Sequence, residues 1–311
     1  MSYFPITPPQ PIQQPIAQLP WVLDASWNHT FSQTMKSSAQ IENGRLLVRD
    51  KRASERFDPQ YFAFMHFLSW VHNNRLLLNE FQLNPYWKAL IEIVGYFQYR
   101  DIQFVLANAD ILHGQIKTKF LKQCIALKHL DFIAPVNASV KYQKEVFKRC
   151  LDKHKQMNCL FLDLPCVFTT PLHLDDEAKL PKIARKWLER LHQSVELAEK
   201  LYDVQWRIVK SLNGVYAIHA LLYVIGDEAQ YSDFILQEWK GTCLAKEYEL
   251  IQSFPYQVHE KHCYFANSDL RSFWRSEIER FNEPFKIYRY VSEHISYLWQ
   301  TYTGNIPVKS K

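Results

Sequence analysis

Two hydrophobic rhythms run along this chain, and they change near its middle. Through Leu130 the apolar residues recur every three or four positions. Phe57 to Asn74 carries Phe62, Phe64, Phe67, Leu68, Trp70 and Val71 at that spacing, and Pro85 to Phe97 (PYWKALIEIVGYF) repeats it with a proline suited to a helix start. Thr118 to Leu130 predicts a further helix, and Asp101 to Leu106 (DIQFVL) a short strand. The first half therefore reads as largely helical. From Cys159 the rhythm shifts to continuous apolar runs. CLFLDLPCVFT is β-rich with Asp163 at its centre, and Asp176 to Leu201 returns to helical spacing through Ile183, Trp187, Leu188, Leu191, Val195 and Leu197. Asp203 to Val224 then predicts two strands joined by Ser211-Leu212-Asn213-Gly214, with Tyr231 to Thr242 a helix after them. Strand, helix, strand, strand, helix is an α+β order that predicts a small antiparallel sheet with helices packed on one face. Asp269 to Phe281 and Phe285 to Tyr302 read as a final helical region, the second rich in tyrosine.

Segment boundaries follow from composition. Met1 to Pro20 holds six of the 15 prolines together with several glutamines, which predicts an extended tail. Residues 21–150 form the mainly helical region, residues 155–305 the sheet-bearing domain and residues 306–311 a basic tail. The polar, basic stretch 135–157 is the best boundary between the two larger parts. Aromatic residues make up 15% of the 311, against only 7 glycines, so the protein is densely packed. No apolar run approaches the ~18 residues of a membrane span, and the N-terminus lacks a signal-peptide pattern, so a cytoplasmic location is expected. Six cysteines at irregular spacing, with no C-x-x-C pair, predict free and mostly buried thiols.

The net charge of +5 is unevenly placed: Lys and Arg outnumber Asp and Glu by 17 to 11 in residues 1–150 and fall behind by 20 to 21 afterwards. Ten basic residues stand between Lys117 and Lys155 against Asp131, Glu145 and Asp152. Such a stripe can neutralise phosphates or simply be a solvated helix face. Lys117, Lys119, Lys122, Lys144, Lys148 and Arg149 are its candidate nucleic-acid contacts.

Candidate chemistry centres on His219. Strand alternation sets Ala217, His219 and Leu221 on one face, and Asp163 on the first strand can share that face. On an open sheet, an imidazole beside a carboxylate can hold Mg²⁺ or Mn²⁺; on a covered one, the histidine is a hydrogen-bonded core residue. Tyr297, in the run Tyr297-Leu298-Trp299-Gln300, supplies a phenol of the kind that attacks a phosphodiester polarised by a cation. His259-Glu260-Lys261-His262-Cys263 lacks the spacing of a two-ligand helical turn, and no phosphate-binding or dinucleotide-binding glycine motif occurs.

In order along the chain, CLFLDLPCVF, GVYAIHALLYV, YSDFILQEWKGT and ISYLWQTYT resemble the replication proteins of filamentous phages (inoviruses) and the related YagK/YfjJ prophage domain, of the HUH endonuclease superfamily. The resemblance covers roughly residues 155–305. It implies an HUH/RRM-like core and a replication protein of a phage or mobile element. Such a protein acts on single-stranded or origin DNA, with host replication proteins as further partners. In the family's terms Tyr297 is the nucleophile of a metal-dependent nicking and ligating endonuclease, and His219 with Asp163 holds the metal. Two positions depart from the family pattern. Ala217 stands where the first histidine of the His-hydrophobic-His triplet belongs, and Gln300 where a lysine follows the tyrosine. Three expectations stay open: a nicking initiator, a DNA-binding relative without nicking, and a protein-interaction module that keeps only the fold.

Overall fold

This computed structural model describes residues 80–86, 88, 89, 92, 115, 118–168, 177–211, 214–244, 250 and 257–302. The predicted tail, the helix over 57–74, the strand over 101–106, much of the helix over 85–97, and residues 306–311 lie outside them.

Five strands form one antiparallel sheet. They are β2 (Gln156–Cys166), β3 (Leu201–Lys210), β4 (Tyr216–Ile225), β5 (Gln257–Tyr264) and β7 (Gln300–Thr301), in the order β5-β2-β4-β3-β7. A two-residue pairing of β1 (Gln82–Leu83) with β6 (Tyr288–Arg289) lies apart from it. Helix α1 (Ile125–His154) precedes β2, α2 (Lys179–Gln193) links β2 to β3, α3 (Ser232–Cys243) links β4 to β5, and α4 (Ser268–Asn282) follows β5. Each linking helix carries the chain past one intervening strand: β4 lies between β2 and β3, and β2 between β4 and β5. The two crossovers therefore interlock. β3 and β4 follow one another directly; at their junction Ser211 N–H donates to Val215 O and Gly214 takes a left-handed φ of 84° that glycine adopts without strain.

Side-chain alternation sorts the sheet into two covered faces. Leu160, Leu162, Leu164, Trp206, Ile208, Ile218, Ala220 and Leu222 pack against α2 and α3. Met157, Cys159, Phe161, Leu221 and Tyr223 pack against α1 and α4. Burial on both faces explains why β2 and β4 read as unbroken apolar runs rather than alternating ones. It also corrects the expectation of helices on one face: the second layer comes from α1 and α4. Helix α2 shows the core-facing stripe plainly, with Leu180, Ile183, Ala184, Trp187, Leu188 and Leu191 all buried.

Three further differences have physical causes. The stretch expected as a boundary, 135–157, lies largely in α1, which continues through Pro135 and buries Val140, Val146, Phe147, Cys150 and Leu151. Its lysines occupy the outer face, so average polarity hid an amphipathic helix. The segment predicted as a helix over 285–302 is a short 3₁₀ turn (Glu283–Lys286) followed by extended and turning chain. There the Ser292 hydroxyl accepts from the N–H groups of His294 and Ile295, and Ser296 from Leu298, local bonds that compete with a helix. Strand β5 contains the His259-to-His262 motif. With a period of two, its histidines fall on opposite faces: His262 bonds Asn158 through Nδ1, whereas His259 lies beside Phe161 and Phe281. Glu260, between them, accepts the N–H groups of Tyr231 and Ser232 and so caps the start of α3.

Candidate functional site

Three polar side chains lie in a row across the middle of the sheet. Asp163 on β2 is the direct cross-strand partner of His219 on β4, and His219 is the direct partner of Arg207 on β3. All three point to the face covered by α1 and α4, and they are 3%, 7% and 1% exposed. The expected pairing of Asp163 with His219 is thus present, at 3.7 Å between Oδ2 and Nε2. The expected open face is not.

Arg207 organises the cover. Its Nε donates to His219 Nδ1 (3.2 Å), one terminal nitrogen to Asn282 Oδ1 (2.8 Å) and the Tyr297 carbonyl (3.4 Å), and the other to the Phe281 carbonyl (2.7 Å). The rings of Phe285 and Trp299 each lie 4.1 Å from its guanidinium carbon. A planar, delocalised cation with forked donors suits that setting, because it satisfies several acceptors at once and stacks on aromatic faces. The network extends outward. Trp299 Nε1 donates to Asn282 Oδ1, Asn282 Nδ2 donates to the Gln143 side chain on α1, and Gln143 Nε2 donates to Gln205 on β3. Helix α1, helix α4, the C-terminal segment and the sheet are therefore joined through one buried polar cluster.

Burial sets the charge states. It pushes the Asp163 carboxyl up to about 8, against the opposing pull of Arg207. The His219 imidazole is driven well below its usual value, by burial first and by the Arg207 cation second. A neutral His219 that accepts at Nδ1 must carry its proton on Nε2, the nitrogen turned toward Asp163. The 3.7 Å contact is thus a neutral imidazole facing a carboxyl, not an ion pair.

This donor set does not fit a divalent cation. One imidazole nitrogen accepts from a guanidinium and the other bears the proton, and a fixed positive charge stands beside both. Among the described residues, no group of three or more His, Cys, Asp or Glu side chains is placed to hold a metal. Ala217, where the resemblance would place the first histidine of the triplet, is fully buried against Val136, Val209, Phe285 and Tyr297.

Tyr297 reaches the site with its backbone rather than its phenol. The carbonyl accepts from Arg207, while the hydroxyl accepts from Arg289 at 2.6 Å and the ring stacks on Phe285. Burial raises the phenol above its ordinary value, with Arg289 opposing. Of the basic candidates, Lys119 pairs with Glu92 and Lys144 with Glu279, whereas Lys122, Lys148 and Arg149 are open to solvent and Lys117 lies outside the described residues. Sequence reasoning overlooked Arg207. Its signal was present: a lone arginine inside the apolar run of β3, on the alternation that faces His219.

A pH dependence follows with a definite sign. His219 is neutral in the fold but protonates below about 6.5 when unfolded, so the unfolded chain binds more protons in acid, and stability falls as pH drops through that value. In His219→Gln this contribution is absent. The stability advantage of the wild type over the variant should shrink by up to about 1.4 kcal/mol per pH unit below 6.5. Urea unfolding of both proteins at pH 7, 6 and 5 checks it; a constant difference would mean that His219 is not held neutral.

Comparison with protein-family models, with curated proteins and with solved structures returns no match for the chain.

Proposed function

We propose that this chain is a DNA-binding replication protein of a phage or mobile element, with an HUH/RRM-like core whose metal position has been taken over by Arg207. The observation that carries this reading is the guanidinium donating to His219 Nδ1 between the rings of Phe285 and Trp299. The fold class supports it. The β-α-β-β-α-β order, with strands arranged β5-β2-β4-β3, is the split βαβ arrangement, and the Asp163–His219 pair stands at its centre. In this reading the Ala217 and Gln300 departures belong to the same loss: a site without ligands has no use for a lysine beside a scissile phosphate. The protein recognises single-stranded or origin DNA through its basic surface and leaves the strand uncut.

Binding of labelled single-stranded oligonucleotides, tiled across the surrounding element, tests the reading at 50 and 200 mM salt. If Lys122, Lys148 and Arg149 each meet a phosphate, the three together should contribute about 2 to the slope of log Kd against log salt. Replacing all three with alanine should lower the slope by about that amount. Absence of binding at the lower salt would overturn the reading in favour of a protein-interaction module. No helix among the described residues is long and apolar enough to cross a membrane.

A further inference from the structure

At the end of the sheet where α1 turns into β2, two exposed aromatic rings flank the tripeptide Lys153-His154-Lys155. Lys155 takes a left-handed φ of 65° and its N–H returns to the Leu151 carbonyl, so the helix closes abruptly where the chain enters β2. On one side stands Tyr202, 39% exposed. It is the extra residue of a β-bulge, falling between the paired positions Leu201 and Asp203 of β3. A bulge re-aims a side chain that regular alternation would place elsewhere. The Lys153 ammonium lies 5.2 Å from the Tyr202 ring centre, and the His154 ring meets it edge-on at 4.9 Å. On the other side stands Phe265, 38% exposed, just past β5, with its N–H bonded to the Lys155 carbonyl. Lys155 lies 4.4 Å and Arg271 5.3 Å from that ring.

We infer that Tyr202 and Phe265 form a stacking platform for bases of single-stranded DNA, with Lys153, Lys155 and Arg271 meeting the adjoining phosphates. The inference rests on the DNA-binding reading and assigns it a surface remote from the buried Arg207 cluster. Sequence-tolerant single-strand binding requires flat rings open to solvent with cations beside them. Both rings here meet that requirement, with Lys153 and Lys155 from the end of α1 beside one ring each and Arg271 of α4 beside Phe265 as well. Nearby Tyr264 does not join them, because its hydroxyl is tied to Glu228. Asp152 offers its main-chain carbonyl to the Lys155 ammonium, an exposed contact that a phosphate can displace.

Fluorescence anisotropy with 5′-labelled dT20 at 50 mM salt tests the inference on the full chain. Tyr202→Ala/Phe265→Ala should raise Kd at least about tenfold. The ring-conserving pair Tyr202→Phe/Phe265→Tyr should bind like the wild type. So should Phe273→Ala, which removes an exposed ring on α4 outside the platform. Photocrosslinking of a 5-iodouracil strand should place adducts at Tyr202 or Phe265 independently of any variant. Wild-type binding that the double alanine leaves within twofold, with crosslinks elsewhere, would overturn the platform while the DNA-binding reading stands. Failure of the wild type to bind dT20 or any tiled strand would overturn both.

Discussion

Arg207→Ala should lower the unfolding free energy by about 3–5 kcal/mol, the range for removing one member of a buried charged cluster. The loss has several parts that act together. His219 Nδ1 and the Phe281 and Tyr297 carbonyls each lose the arginine donor in a place where the arginine itself is 1% exposed, while Asn282 Oδ1 keeps only its bond from Trp299. A buried acceptor without a partner costs about 1–3 kcal/mol. The slot between Phe285 and Trp299 also empties, and Asp163 loses the cation that opposes its burial. Arg207→Lys should recover little, because an ammonium on a flexible stem cannot make the forked contacts or lie flat between two rings. Urea titration followed by far-UV circular dichroism checks both variants. A loss below about 1 kcal/mol for the alanine variant would mean that the cluster is peripheral to folding, within the range of an ordinary surface change.

Trp187→Ala should cost a comparable 3–5 kcal/mol, but for an apolar reason. Trp187 is fully buried on α2 and meets Trp239 of α3 edge-to-face, with ring centres 6.0 Å apart. These two helices form the layer over the sheet face opposite the polar cluster, so truncation opens a cavity at the junction of both. Trp187→Phe should retain most of the stability, since the ring keeps its place and only part of the volume is lost. The same urea titration distinguishes the two predictions by pH: the tryptophan cost should be flat between pH 5 and 7, as no titratable group takes part in that contact. A Trp187→Ala penalty under about 1 kcal/mol would show that α2 and α3 repack freely.

The sheet was legible because its strands are apolar on both faces. CLFLDLPC, VQWRIV and YAIHALLYV admit few other structures; alternation allowed Asp163 and His219 to share a face, and the strand register makes them direct partners. Helix α1 was harder to read. Its buried Val140, Val146, Phe147 and Leu151 are interleaved with Lys141, Lys144, Lys148 and Arg149, so local composition suggested a solvated connection while the spacing carried a helix. The C-terminal segment misled in the opposite direction. Phe285, Tyr288, Tyr290, Ile295 and Tyr297 give the segment an apolar content like that of a buried helix, yet they serve two separate clusters, Tyr288, Tyr290 and Ile295 in one and Phe285 and Tyr297 in the other, which the extended, turning chain makes possible. The character of the site lay beyond local pattern. Whether His219 faces solvent or Arg207 depends on Asn282, Phe285 and Trp299, more than sixty residues away in the chain, closing over β3 and β4. No window of sequence around the histidine contains that information.

The most direct test of the central claim pairs two gels on the same samples: purified protein with tiled single-stranded oligonucleotides and Mn²⁺, beside Tyr297→Phe. The account predicts a shifted complex on the native gel, no covalent band on the denaturing gel, and identical behaviour of the variant. A Mn²⁺-dependent covalent band that disappears in Tyr297→Phe would contradict it, because the phenol would then have to leave Arg289 and a cation would have to displace Arg207 from His219.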